Sequence, residues 1–391
     1  SLMTVAMYMK HAVTGVAGDA DAASRWFDGM VLLNNVTGKR GLMGRSCCAP
    51  DTFNKTCAKG TWIHDNEKWH PSANKDYEGW WWKGDTSSDE VVGQMFAMSV
   101  VSWLSPKPEE RALARSLLLD IVGGIVDHDF ELIDVTGNAT TWGRWAPQYV
   151  NAYRGFSDER GLQSLQILAY LSAAKNVSAT AADAAKFDAA FETLTNATNQ
   201  YHWNTLNQKI LAPCDDNYSD DELAWLPLFT WLFMAPADPA DKTRSGRRAI
   251  VLQSLERSWD LIASERSALW STIYYASIVE EKQAAAKGTV RENVLWNLQT
   301  WADELIDWPN DNGERQDIVY EATATRFNVP HIESLKSRPP LPANERRQYR
   351  WNANPYVVGP PGGAGTTEGD PGAWLLPYWM GRWSGVLDAK D

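Results

Sequence analysis

The chain has 391 residues and a formal net charge of −12, with acidic and basic residues interspersed, which excludes a surface that tracks nucleic-acid phosphates. It contains no apolar run of eighteen or more residues, so no membrane span is expected. Trp is the compositional outlier at 21 residues, and eight of these fall in polar loops, where an indole offers a flat apolar face and one N–H donor to a ligand.

Segments 4–16 and 21–34 read as a first pair of helices. Four later stretches are apolar on every side, as buried helices are: 89–104, 158–174, 221–235 and 267–279. Each is followed by a segment with one polar stripe, as surface helices have: 109–126, 180–200, 243–263 and 289–305. A last apolar segment spans 372–387. Links from buried to surface helices are short (Ser105–Pro108, Asn176–Ala179, Pro236–Lys242, Glu280–Gly288). Links into buried helices are long, at 35–84, 127–156 and 306–371, so the long loops gather at the N-terminal ends of the inner helices. A face where a rigid scaffold positions loops is the expected place for a site. The alternation runs through the middle of the chain without a hinge, so residues 1–391 are expected to form one all-α catalytic domain.

Three inner helices open with similar text: Ser87-Ser88-Asp89-Glu90, Ser157-Asp158-Glu159 and Ser219-Asp220-Asp221-Glu222. The intervals from Asp89 to Asp158 to Asp221 are 69 and 63 residues, close to one sixth of the chain, which predicts an (α/α)6 toroid of six helical hairpins. Eleven helices are readable, and the twelfth is expected in the 306–371 region. Ser and Asp are also ordinary N-caps, and acidic residues suit the first turn of a helix. The first copy carries more than a cap needs, because 77–90 holds four carboxylates (Glu78, Asp85, Asp89, Glu90) beside three indoles (Trp80, Trp81, Trp82).

A second dense patch lies at 127–160, with His128, Asp129 and Asp134, then Trp142, Arg144, Trp145 and Tyr149, then Asp158, Glu159 and Arg160. Aromatic faces around a fixed guanidinium suit a carbohydrate, which presents C–H faces and hydroxyls. The bland alternative is an ion pair of Arg144 with Asp134 or Asp158 that orders the loop. Trp351 belongs to a Pro/Gly-rich rim, and Tyr378 stands four residues before Arg382 on the last inner helix. Cys47, Cys48 and Cys57 crowd into a loop with His64 and His70, but their spacing fits no standard zinc pattern, so no metal is expected. No cofactor is expected either, since GxGxxG, GK[ST], HExxH and GxSxG are all absent. Six Asn-x-Ser/Thr sequons point to an extracytoplasmic or secreted protein.

With its acidic inner-helix caps and the Asp85-Thr86-Ser87-Ser88-Asp89-Glu90 segment, the chain resembles the six-hairpin glycosidase superfamily of (α/α)6-toroid carbohydrate enzymes. The resemblance implies a glycoside hydrolase with its carboxylates at the mouth of the inner helices. Glycosidic cleavage needs one protonated carboxyl and one carboxylate, here drawn from Asp85, Asp89, Glu90, Asp158 and Glu159. The expected substrate-binding residues are Glu78, Trp80, Trp81, Trp82, His128, Trp142, Arg144, Trp145, Tyr149, Arg160, Trp351 and Tyr378. Two alternatives stand beside this reading: a polysaccharide lyase with His128 or Tyr149 as base and Arg144 on a uronate, and a carbohydrate-binding protein without catalysis.

Overall fold

The computed structural model describes residues 1–52, 68–208, 219–234, 241–302, 304–306, 339–346, 355–356 and 364–391. Most of them are helical. Among the described residues eleven helices longer than two turns follow one another: α1 (Leu2–Thr14), α2 (Ala17–Asn35), α3 (Ser88–Leu104), α4 (Pro108–Asp127), α5 (Arg160–Val177), α6 (Ala181–Thr195), α7 (Ser219–Met234), α8 (Lys242–Ile262), α9 (Ala268–Ser277), α10 (Glu280–Gln299) and α11 (Gly372–Ser384).

Burial follows the sequence pattern. On α5 every residue from Gly161 to Ala174 is buried, and on α3 nearly every residue from Val91 to Ser102. The striped helices bury one face only, as α4 does with Ala114, Leu117, Leu118, Ile121, Val122 and Ile125. Four striped helices pack on the buried helix before them, α2 on α1, α4 on α3, α6 on α5 and α10 on α9, whereas α8 packs chiefly on the turns at 201–207. The buried helices also pack on one another, α11 on α1, α1 on α3, α3 on α7, α7 on α9 and α9 on α11, while α5 lies against α7 and α3. Among the described residues no helix is long and apolar enough to cross a membrane.

Three features depart from the sequence reading. The short link expected at Glu280–Gly288 is helix instead, because α10 begins at Glu280, with Glu280 and Glu281 in its first turn, where the helix dipole favours them. The long loops also contain strands. β1 (Ser46–Cys48), β2 (Trp69–Pro71) and β3 (Trp81–Lys83) form an antiparallel sheet in the order β1–β3–β2, and β4 (Glu131–Ile133) pairs antiparallel with β5 (Ala139–Arg144). Finally, Ser157-Asp158-Glu159 precedes α5 rather than capping it, since Ser157 and Glu159 are already in αR conformation and no side chain caps the helix.

Candidate functional site

The segments 77–90 and 134–160 meet through one aspartate. Asp85 follows Lys83 and Gly84 out of β3 and takes a left-handed φ of 51°. Its backbone N–H donates to Asp134 Oδ2 at 2.9 Å. Its carboxylate accepts from Lys68 Nζ at 2.8 Å, from the Thr141 N–H at 2.8 Å and from Thr141 Oγ1 at 3.1 Å. Burial works to raise the Asp85 pKa, but the bonds from Lys68 and Thr141 outweigh it and hold the carboxyl below its ordinary value. An acid held in the charged form with its oxygens occupied is a poor proton donor, so Asp85 is a latch between the sheet and the β4–β5 hairpin. Lys39 Nζ reinforces that hairpin by donating to the carbonyls of Ile133 and Asp134, at 2.9 Å each.

Glu90 is also committed to structure. Its Oε2 accepts from the Ser87 N–H at 2.7 Å and from Ser87 Oγ at 2.8 Å, completing a capping box at the start of α3. Its Oε1 pairs with Arg45 Nε at 3.2 Å. Asp89 differs. It is exposed, and among the described residues its side chain only shares with Glu90 the single proton of the Ser87 hydroxyl.

The aromatic packing of α3 on α7 shows what Asp89 faces. Phe96 meets Phe229 at 5.5 Å between ring centroids, and Trp103 meets Phe233 at 6.2 Å, so the two helices run parallel. Seven residues are nearly two helical turns and return to almost the same face. Seven residues before Phe96 stands Asp89, and seven before Phe229 stands Glu222. By this offset both residues sit in the first turns of two packed parallel helices, at positions in register with the Phe96–Phe229 contact. Ser1 lies nearby. Its amino group loses basicity through burial and regains part of it from the charges of Asp370 and Glu222. A Cβ on Gly93, one turn below Asp89, would stand 2.8 Å from Ser1 Oγ. The charge of Asp89 also reaches the fully buried Tyr170 on α5, whose pKa is raised by burial first and by Asp89 second, and whose hydroxyl has no hydrogen-bond partner.

Next to this mouth is an exposed aromatic cluster. Phe156 lies at its base, 6.0 Å from Trp142, 5.9 Å from Tyr149 and 6.0 Å from Tyr153. Trp142 is 48% and Tyr153 55% exposed, so both offer ring faces to solvent. Arg144 lies with its guanidinium 4.7 Å from the centre of the Tyr149 ring. Asp158 and Glu159 follow Phe156 at the border of this platform and are partly buried.

Several expected ligand contacts are corrected. Trp82 and Trp145 are 1% and 0% exposed and belong to the core; Trp145 Nε1 donates to Gln166 Oε1 at 2.9 Å. Arg160 donates to the carbonyls of Val150 and Asn151, fixing the approach to α5. Tyr378 stacks on Trp374 at 5.1 Å, and Trp374 Nε1 donates to Leu298 O, so Tyr378 lies on the flank of α11 that meets α10. His128 closes the outer helix α4, its Nδ1 2.7 Å from Gly124 O. Trp80 stands edge-on to Tyr77 at 6.0 Å and packs on the core, Trp81 is half-buried on β3, and Glu78 is exposed. Trp351, Cys57, His64 and Cys214 lie outside the described residues. Cys48 is disulfide-bonded, which removes its sulfur from any zinc reading, while Cys47 keeps a thiol whose pKa burial raises.

Sequence reasoning missed Glu222 and Asp370 as candidates. The third acidic cap was on view, and the seven-residue offset from Phe229 would have singled out Glu222 had the α3–α7 pairing been known. Asp370 accepts from the Gly372 N–H at 2.7 Å as α11 begins, and nothing in its local sequence marks it. A separate cleft of about 430 Å³ lies between α8 and the start of α10, lined by Leu252, Glu256, Arg257, Asp260, Val279 and Lys282 among others, and contains none of these groups. No family model, curated relative or solved structure matches the chain.

Proposed function

We propose that the chain is a glycoside hydrolase on an (α/α)6 toroid, with Asp89 and Glu222 as its catalytic carboxylate pair. The observation that carries this reading is the placement of two carboxylates in the first turns of the packed parallel helices α3 and α7, beside an aromatic platform of the kind that sugars stack on. The circuit of packed helices α1, α3, α7, α9 and α11, with α5 against α3 and α7, supports the toroid. In the reaction one of the pair, protonated, donates to the leaving glycosidic oxygen, and the other attacks the anomeric carbon or activates water. Asp85 and Glu90 hold the mouth in shape, and Asp158 and Glu159 border the platform.

The test is a panel of polysaccharides assayed for new reducing ends and for the ultraviolet absorbance of unsaturated sugars. Turnover is expected to fall about 10²–10⁴-fold in Asp89→Asn and in Glu222→Gln, with melting temperature retained. Full rates in both variants would discard the pair, and an absence of new reducing ends on every substrate would discard the hydrolase. A lyase is the second reading, favoured by the absence of a carboxylate partner on Arg144 among the described residues. It requires absorbing products that persist in the Asp89 and Glu222 variants.

A further inference from the structure

Arg144 is held in place without being neutralised. Its Nε donates to Thr140 O at 2.9 Å, and its planar head rests over the Tyr149 ring. Those two contacts fix the direction of the guanidinium but leave the remaining N–H donors of the fork without a protein acceptor among the described residues. Asp134 does not reach it, because its Oδ2 accepts from the Asp85 N–H at 2.9 Å and its Oδ1 from the Val135 N–H at 2.6 Å. Asp158 makes no pair with it either. Glu131, directly opposite Arg144 in the β4–β5 register, forms no ion pair with it. Other described arginines divide between two states: Arg45, Arg244, Arg247 and Arg266 pair with carboxylates, while Arg111, Arg115 and Arg160 are held by backbone carbonyls. What distinguishes Arg144 is its setting: with no carboxylate on it among the described residues, it is oriented by a backbone acceptor and a ring beside two exposed aromatic faces, and so is preorganised for an anion that comes from outside.

We propose that the Trp142–Arg144–Tyr153 platform is a subsite for a uronic-acid unit, with the sugar ring on the aromatic faces and its carboxylate in the Arg144 fork. The inference rests on the carbohydrate-enzyme reading above and names the substrate class of that site. Two features of the platform select the ligand together. The planar fork matches a carboxylate with two parallel hydrogen bonds, which favours a carboxylate over a hydroxyl. The exposed faces of Trp142 and Tyr153 take the C–H face of a pyranose, which an isolated acidic group lacks. The bond from the Thr141 N–H to Asp85 places the platform at the edge of the Asp89 mouth, within the reach of a short oligosaccharide.

The test is calorimetric binding of an oligosaccharide with one glucuronic acid residue, compared with the same oligosaccharide after reduction of its carboxyl to a hydroxymethyl group. The full chain is expected to bind the acidic form about tenfold or more tightly, with the gap narrowing as salt rises. Arg144→Met is expected to lose that preference while keeping its affinity for the neutral form, and Trp142→Ala to weaken both forms together. Should Arg144→Met fail to fold, Arg144→Lys keeps the charge without the fork and is expected to retain only part of the preference. Equal binding of the two forms by the unaltered chain, or a preference undiminished in the Arg144 variant, overturns the subsite. Reducing ends released from neutral polysaccharides without an acidic preference would overturn the subsite and leave the hydrolase standing. An acidic preference with no bond cleavage supports the subsite and removes the hydrolase.

Discussion

Asp85 shows how one residue type serves two ends that sequence alone does not separate. Its φ of 51° is a conformation that Asp and Asn tolerate better than most residues, and its carboxylate gathers Lys68 and both donors of Thr141. Because its folded pKa is depressed, the stability it confers is complete above the unfolded value of about 3.9 and is lost as pH falls through the folded value. Asp85→Asn keeps the size and the backbone preference but not the charge. Urea unfolding at pH 7 should show a loss of roughly 1–2 kcal/mol, after allowing for solvent screening of a partly exposed group. The deficit should shrink as pH drops below about 4. A deficit that stays constant between pH 7 and pH 3 would mean that charge is not what holds the latch. Substrate turnover of the folded variant should survive, unlike that of Asp89→Asn. Asp85, Asp89 and Glu90 lie within six residues, and only coordinates distribute latch, open carboxylate and cap among them.

Helices were the most legible elements, for a reason visible in α5. A helix buried on all sides must be apolar on all sides, and that signal survives even when its start is misplaced. The start of α5 was misplaced because tertiary contacts override the local cap. Arg160 is drawn to the Val150 and Asn151 carbonyls, and Gly161 lies so close to the 205–207 turn that a Cβ there would stand 1.7 Å from Asn207 O. Ser87→Ala should therefore cost about 0.5–2 kcal/mol by removing a working cap, while Ser157→Ala should change stability by less than about 0.5 kcal/mol. Gly161→Ala sets two effects against each other. Helix propensity gains about 1 kcal/mol, but a Cβ pressed into backbone costs roughly 1–3 kcal/mol or more, so the net effect is destabilising. Gly246→Ala on α8, where nothing lies within 4 Å, should instead stabilise by about 0.5–1 kcal/mol. Thermal melts of the four variants check the ranking, and a stabilised Gly161→Ala would contradict the close approach. The strands β1–β4 were illegible because three residues are too few to show a period of two. The core places of Trp82 and Trp145 were hidden with them, since a polar neighbourhood in sequence says nothing about a loop folding back onto the core.

At the scale of the molecule, the informative contact joins the two ends of the described chain. α1 packs on α11, with Met3 against Gly372, and α11 in turn packs on α9. Periodicity gives the faces of helices but not their partners, so this closure had no signature in the sequence beyond the spacing of the acidic caps. The same ignorance concealed Glu222, whose proposed role rests on α3 lying on α7. Closure between positions more than 350 residues apart rests on apolar packing, with Leu376 and Met380 of α11 and Val5 and Tyr8 of α1 all fully buried. An ion pair also lies near this seam, between Arg291 of α10 and Asp391, but a pair whose arginine is open to solvent contributes little beside the packing. The two can be told apart. Arg291→Ala should leave the melting temperature essentially where it was. Removal of 372–391 should uncover the apolar faces of α1 and α9 together and replace a cooperative melt with a broad one, accompanied by binding of a hydrophobic dye. A truncated chain that still melts sharply would show that the helices stand without closing, and the toroid would have to be given up even if the carboxylates on α3 and α7 kept their places.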